Sequence, residues 1–224
     1  MRIVSLVPSV TETLEHWGLP PAARTRFCPA GEGITVGGTK NPDIGAIIGC
    51  SPDLVVVERE ENRRADYEAL VLGGLEVLAL SVRSLEDVNS SMALLAARVG
   101  ACWGRIWIPA TPPVTTRAFV PIWRRPWMAL GTPTYGASLL ASLGIATIHD
   151  DSPYPTTDAR DVAIRQPDVV LAPSEPYPFS ERHLEELDRF APVRFVDGQD
   201  LFWWGARTEA ARARLSTVLA DLTG

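Results

Sequence analysis

Residues 84–99 read SLEDVNSSMALLAARV, and this stretch decides the fold that we expect for the chain. Ser84 and Asp87 stand in the relation of a helix capping box, and Arg98 lies near the other end. Apolar residues recur between them at helical spacing, and these are Leu85, Val88, Met92, Leu95 and Val99. The pattern predicts one long helix whose single apolar face is buried.

Two similar segments flank this helix. CSPDLVVVE occupies 50–58, and RQPDVVLAP occupies 165–173. Each reads as the end of a helix, a Pro-Asp turn and a buried strand. The repetition predicts that the helix joins two similar halves.

Short apolar strands alternate with helices through both halves, which is typical of parallel sheets covered by helices. We therefore expect an α/β chain with two parallel-sheet lobes joined by a single interlobe helix. The N-terminal lobe would span 1–83, the interlobe helix and connector 84–116, and the C-terminal lobe 117–224.

Composition excludes several classes of protein. A net charge of −6 argues against a nucleic-acid partner, because such proteins carry a basic face. No run approaches the ~20 apolar residues of a membrane span. Cys28, Cys50 and Cys102 fit neither zinc spacing nor a disulfide framework, so we expect reduced thiols. Met1 leads directly into an apolar strand, so we expect a cytoplasmic protein, or a periplasmic or extracellular-facing one if a signal segment has been removed.

The loops that follow the predicted strands are rich in aromatic, proline and charged residues. Open parallel sheets bind ligands at the carboxyl ends of their strands, and a cleft between two lobes walled by flat rings suits a large, flat ligand. A single aromatic loop residue more often covers a core edge, so the prediction depends on their occurrence in both halves. The ligand-binding residues that we predict are Phe27, Glu58, Arg63, Trp123, Trp127, Tyr177, Trp203 and Trp204.

Catalytic motifs are absent from the sequence. The segment GTPTYG at 131–136 lacks the Lys-Ser/Thr of a phosphate loop, and there is no nucleophile elbow or zinc-protease motif. His16, His149 and His183 are scattered, and we assign none of them to a metal. We expect no enzyme activity, no resident metal and no covalently attached cofactor. The alternative of a different class is a two-lobed enzyme acting on a nucleotide- or sugar-like substrate.

Several segments resemble one known family. They are RIVSLVPSVTE at 2–12, VGGTKNP at 36–42, SPDLV at 51–55 and QPDVV at 166–170. The chain resembles the cobalamin- and iron-siderophore-receptor family of substrate-binding proteins, whose two lobes are joined by a long helix (helical-backbone metal receptors). It is most similar to a branch without export signals, which carries segments like EENR at 60–63, PSEPYPF at 173–179 and WGAR at 204–207.

The resemblance implies non-enzymatic binding of a metal chelate inside the cell, with a corrinoid such as cobalamin ahead of a ferric siderophore. The alternative that it implies is the substrate-binding component of an ABC importer. Receptors of this family present one Glu per lobe to arginines of the importer, and Gly45 and Arg160 occupy those places here. These two departures argue against importer docking, unless Asp43 or Asp161 takes that role.

Overall fold

The computed structural model describes residues 1–222, which form two compact units. The first unit contains Met1–Val82, Asp87–Arg105 and Trp204–Ala206. The second contains Arg83–Glu86, Ile106–Trp203 and the described chain from Arg207 onward. The chain therefore returns to the first unit for a short stretch near its carboxyl terminus, a feature that the predicted division into 1–83, 84–116 and 117–224 does not contain.

A five-stranded sheet forms the centre of the first unit. The elements in chain order are β1 (Ile3–Ser5), α1 (Pro8–His16), β2 (Ala23–Arg24), β3 (Ile34–Thr35), β4 (Gly37–Gly38), β5 (Asn41–Pro42), α2 (Ile44–Gly49), β6 (Leu54–Glu58), α3 (Arg64–Leu72), β7 (Val77–Leu80) and α4 (Leu85–Val99). The strand order is β3-β2-β1-β6-β7, and all of these pairs are parallel. The parallel sheet predicted for this half is confirmed.

Alternating apolar residues of β1 and β6 fill the core of this unit together with helix residues. Val4 and Leu6 from the first strand segment pack with Val55 and Val57, and Ile47 of α2 closes one side. Asp43 caps the amino end of α2, because its side chain accepts a hydrogen bond from the Ala46 backbone N–H at 2.9 Å. These contacts hold β1 and β6, and with them the loops that follow these two strands, in place.

Helix α4 has the buried face that its sequence predicts. Leu85, Val88, Met92 and Leu95 are buried, and Val99 is half-buried. Leu94, which precedes Leu95 and lies about 100° away around the helix axis, is 48% exposed. The period of the apolar residues therefore identifies which side of the helix packs.

The second unit contains two sheets. Its elements are β8 (Thr116–Phe119), β9 (Pro121–Trp123), β10 (Trp127–Ala129), α5 (Tyr135–Ala141), β11 (Ile145–Thr147), β12 (Thr156–Thr157), α6 (Ala159–Arg165), β13 (Val169–Pro173), α7 (Leu184–Leu187), β14 (Val193–Val196), α8 (Gly198–Phe202) and α9 (Thr208–Val218). The main sheet has the order β11-β8-β13-β14 and is parallel, as predicted.

The smaller sheet, β12-β10-β9, is antiparallel and was not expected from the sequence. Only the Arg124–Pro126 turn separates β9 from β10. A connection this short can join antiparallel neighbours but not parallel ones, which need a crossover of about a dozen residues or more. The turn therefore adds an antiparallel layer to a unit that is otherwise parallel. Among residues 1–222, no helix is long and apolar enough to cross a membrane.

Candidate functional site

A cavity of about 500 Å³ opens at the carboxyl end of β6 in the first unit. Its lining residues are Val57, Glu58, Arg59, Asn62, Arg63, Arg64, Tyr67, Glu68 and Ala79. Two predicted ligand-binding residues, Glu58 and Arg63, thus line the same cavity. Arg59, Arg64 and Tyr67 were not predicted, although they belong to the same charged stretch of sequence.

Glu58 is 2% exposed, and its carboxylate is hydrogen-bonded to the surrounding backbone. Its carboxylate accepts hydrogen bonds from the backbone N–H groups of Glu60 at 2.6 Å, Glu61 at 2.9 Å and Val82 at 3.3 Å. Its own N–H donates to Asn62 Oδ1 at 2.8 Å. Burial raises the pKa of this carboxyl, and the three N–H donors oppose that rise. Glu58 therefore builds the turn that lines the cavity.

Three guanidinium groups line the cavity, and two of them are paired with carboxylates. Arg63 donates from Nε and Nη2 to the two oxygens of Asp66, each at 2.8 Å. Arg64 Nε lies 2.8 Å from Glu68 Oε1 on the exposed face of α3. Arg59 adds a third guanidinium to the lining. Planar guanidinium groups suit carboxylate or phosphate groups of a ligand.

Phe27 lies elsewhere in the first unit, in the loop after β2, and its ring is 55% exposed. Its backbone is held, because the Phe27 N–H donates to Thr25 Oγ1 at 3.3 Å and that hydroxyl lies 3.2 Å from Cys28 Sγ. The Arg26 guanidinium lies 4.9 Å from the ring centroid. An exposed ring on a restrained backbone is a surface that a flat ligand can contact.

Three predicted aromatic residues come together in the second unit. Trp127 stacks on Phe179 with centroids 6.1 Å apart, and it packs against the core. Trp123 is 46% exposed and meets the edge of Tyr177 at 5.6 Å. Tyr177 contacts Phe179 at 4.7 Å. Trp123 and Tyr177 therefore present ring surface, and Trp127 supports them from the core side.

His183 packs against the rings of Tyr177 and Phe179 in the same cluster. Its Nδ1 accepts a hydrogen bond from the Ser180 N–H at 3.2 Å, so the ring proton is on Nε2, which lies 3.4 Å from the Tyr177 hydroxyl oxygen. Burial lowers the pKa of His183, which keeps the imidazole neutral near pH 7. Arg124 Nη2 lies 2.5 Å from Glu186 Oε2. Tyr177 is thus held by the His183 imidazole and by its ring contacts with Trp123 and Phe179.

The two adjacent tryptophans, Trp203 and Trp204, belong to different units. Trp204 is 3% exposed, and its N–H donates to Ser9 Oγ at 3.2 Å within the first unit. Trp203 is half-buried in the second unit, where the Arg207 guanidinium lies 5.0 Å from its ring centroid. The backbone at Trp203 is extended, so successive side chains point in opposite directions. The burial of Trp204 leaves little ring surface for a ligand.

Glu175 and Arg207 were not predicted as site residues. Both lie in segments that carry the family resemblance, PSEPYPF and WGAR, which was the available signal. Within residues 1–222, no group of three or more His, Cys, Asp or Glu side chains is arranged to hold a metal ion.

A scan against protein-family models finds no match, and a search of curated proteins finds none either. Solved structures do match. The periplasmic vitamin B12 binding protein BtuF of Vibrio cholerae is 19% identical with a TM-score of 0.78, covering 99% of this chain and 97% of that one.

Two heme-binding proteins are also similar. BhuT, a periplasmic heme-binding protein solved with two hemes, is 17% identical over 100% of this chain and 99% of its own, with a TM-score of 0.78. A periplasmic heme binding protein from Pseudomonas aeruginosa is 18% identical over 99% and 92%, with a TM-score of 0.77.

These structures are named as binding proteins rather than enzymes, and as periplasmic ones, so they give no support to the cytoplasmic location expected from the amino terminus. The likeness extends over nearly the whole chain. The chain therefore has the α/β fold of the class III periplasmic binding proteins that bind cobalamin and heme.

Proposed function

We propose that this protein binds a metal chelate without changing it chemically, and that the ligand is a flat metal macrocycle of the corrinoid or heme type. The observation that carries the proposal is the likeness, over nearly the full length, to proteins named for binding vitamin B12 and heme. A ferric siderophore is the second ligand class. The sequence-based expectation of an interlobe cleft stays a prediction.

The chemistry of the loops supports a ligand with a flat apolar body and anionic edges. Phe27, Trp123 and Tyr177 offer ring surface that can stack on a macrocycle. The arginines of the cavity at β6 offer donors for carboxylates, such as those of heme, or for the phosphate of cobalamin. Contacts of both kinds are expected for a ligand that combines a flat ring with charged substituents.

Delivery to an importer through paired carboxylates is not part of the proposal. Gly45 and Arg160 are both exposed, so neither offers a carboxylate at the places where the receptor family presents Glu. Asp43 caps α2, and Asp161 accepts a hydrogen bond from Thr157 Oγ1 at 2.8 Å. The protein's location, periplasmic as in the similar structures or cytoplasmic as the sequence predicts, is decided by fractionating its native host.

The function is tested by titrating the purified protein with cobalamin, hemin and a ferric siderophore while following tryptophan fluorescence. We expect saturable quenching by one of the macrocycles. Trp123→Ala should weaken binding about tenfold, which is a loss of about 1.4 kcal/mol. Trp107→Ala is the matched control, because Trp107 is 69% exposed and lies outside the proposed surfaces. Absence of saturable binding, combined with turnover of a nucleotide or sugar, would favour the enzyme alternative.

A further inference from the structure

The polar side chains that line the cavity at β6 differ in whether the protein already uses them. The Glu58 carboxylate accepts three backbone hydrogen bonds. Asn62 is buried, and its Oδ1 accepts a hydrogen bond from the Glu58 N–H at 2.8 Å. Its Nδ2 donates to the carbonyl oxygens of Leu6 at 3.3 Å and Thr39 at 3.0 Å. Glu58 and Asn62 therefore build the wall of the cavity, and neither keeps a donor for a ligand.

Two of the three guanidinium groups in the lining are balanced by carboxylates. Arg63 donates from Nε and Nη2 to the two oxygens of Asp66, which is buried. A ligand that drew Arg63 away would leave a buried carboxylate unpaired, which is costly. Arg64 pairs with Glu68, and Glu68 lines the same cavity, so an anion beside Arg64 would also meet a negative charge. An anionic group of a ligand is therefore poorly accommodated at either arginine.

Arg59 is the third guanidinium of the lining, and it is bonded differently. Within residues 1–222, its guanidinium makes no hydrogen bond or ion pair. Its backbone is held, because the Arg59 N–H donates to the Leu80 carbonyl oxygen at 3.1 Å. The side chain therefore starts from a fixed point directly after β6, and all of its guanidinium N–H donors remain available to a ligand.

Tyr67 of α3 supplies a second unused donor to the lining. It is 36% exposed, and its hydroxyl has no hydrogen-bond partner in the described part of the chain. A phenolic O–H can donate to a carboxylate or phosphate oxygen. The cavity volume of about 500 Å³ lies within the range of small-molecule sites, so the cavity has room for a charged substituent of a larger ligand.

We propose that Arg59 is the specificity-determining residue of this cavity, where its guanidinium binds an anionic substituent of the ligand, a carboxylate or a phosphate. The inference rests on the proposed function for the flat body of that ligand. Arg59 gives up no protein carboxylate when the ligand arrives, so the new charge-assisted hydrogen bonds form without breaking an existing ion pair. An analogue that lacks the negative charge loses these bonds, and the cavity should therefore select against it.

The first experiment compares hemin with hemin dimethyl ester, whose carboxylates are blocked, in an absorbance titration. Arg59→Gln should weaken hemin binding about tenfold, equivalent to about 1.4 kcal/mol, and should change binding of the ester by less than about threefold. Arg59→Lys keeps the charge but not the planar fork, so its loss should be smaller than that of Arg59→Gln. Arg105→Gln is the matched control, because Arg105 is an exposed arginine of the same unit that does not line the cavity.

A second pair of probes distinguishes a phosphate from a carboxylate as the bound group. Cobalamin carries a phosphate, and cobinamide lacks it. If the phosphate is the group that Arg59 binds, Arg59→Gln should weaken cobalamin binding about tenfold and leave cobinamide binding within about threefold. If hemin alone responds to the substitution, the bound group is a carboxylate.

The third experiment tests anion binding without a macrocycle. Inorganic phosphate is added to ¹⁵N-labelled protein, and the backbone N–H signals of residues 58–64 are followed. We expect these signals to shift saturably in the wild type and in Arg105→Gln, and the shifts to disappear in Arg59→Gln. Signals that do not respond to phosphate in the wild type would contradict an anion site at Arg59.

The outcomes separate this inference from the proposed function. If the wild type binds a macrocycle, and Arg59→Gln weakens charged and uncharged forms equally or not at all, the role of Arg59 is wrong and the proposed function stands. If the wild type binds no macrocycle but phosphate shifts the signals through Arg59, the proposed function is wrong and the anion site stands. If neither is bound, both claims are wrong.

Discussion

The two units place different chemistry at the carboxyl ends of their strands. The first unit offers a cavity with three guanidinium groups and a buried carboxyl at β6, together with one exposed ring, Phe27. The second unit offers a cluster of rings supported by its antiparallel sheet, with Trp123 outermost. The rule for parallel sheets therefore locates the charged surface and, through Tyr177 after β13, part of the aromatic one, whereas Trp123 and Trp127 belong to the antiparallel sheet.

We expect the largest loss of unfolding free energy from a substitution in the buried face of α4. Leu95→Ala should lower the free energy of unfolding by ~2–5 kcal/mol, because Leu95 is fully buried in α4. Leu94→Ala on the exposed face should change it by less than about 0.5 kcal/mol. Chemical denaturation measures both. Equal, small losses would mean that α4 does not pack through its apolar stripe.

We expect a smaller loss of unfolding free energy when the Glu58 carboxyl is removed. Glu58→Ala leaves three backbone N–H groups without their acceptor and should cost about 1–3 kcal/mol. Glu68→Ala is the control in the same cavity, because its pair with Arg64 is exposed and worth at most about 1 kcal/mol. An unfolding free energy unchanged by Glu58→Ala would contradict the structural role of this carboxyl.

The pH dependence of that contribution has a definite sign. Because burial raises the pKa of Glu58, the folded state holds the proton more tightly than the unfolded state. Stability from this group is fully present below the unfolded pKa and decreases as pH rises through the folded pKa. Denaturation midpoints of wild type and Glu58→Gln, whose neutral amide resembles the protonated carboxyl, should therefore be most alike at low pH and separate as pH rises through this window, because only the wild type loses this stability. Parallel curves would show that Glu58 does not titrate there.

We expect the smallest effect from a substitution that changes the pKa of Asp161 in the second unit. The Thr157 hydroxyl and the Arg165 guanidinium hold the pKa of Asp161 below its usual range. A depressed carboxyl pKa contributes stability above the unfolded pKa, and this is lost as pH falls through the folded pKa. Thr157→Val should move the pKa of Asp161 upward in an NMR titration. A pKa that does not move would mean that the Thr157 hydroxyl does not control this carboxyl.

The sequence predicted elements with a clear period better than it predicted side-chain neighbours. The apolar stripe of α4 and the strand after Pro167-Asp168 were both anticipated, because helical spacing and a short apolar run are local signals. The sheet of β9, β10 and β12 was missed, since its strands are only two or three residues long.

The site residues show the same limit. Glu175 and Gly198 are far apart in sequence and meet only because β13 and β14 are neighbours in the sheet, so that a Cβ on Gly198 would lie 2.5 Å from Glu175 Cγ. Trp203 and Trp204 are neighbouring residues of the same type, so their sequence does not tell them apart. Only the tertiary structure shows that Trp204 is the buried one. Local patterns thus locate the loops, and long-range packing selects the side chains within them.

The central claim is that the chain binds a flat metal macrocycle, and a difference-absorbance titration tests it most directly. Cobalamin and hemin absorb visible light, so binding is read from the ligand itself. We expect the bands of at least one macrocycle to shift and saturate at a fixed stoichiometry with the wild-type protein, and Trp123→Ala to require a higher ligand concentration. Bands that stay unchanged for both macrocycles, with folded protein in excess, would contradict it.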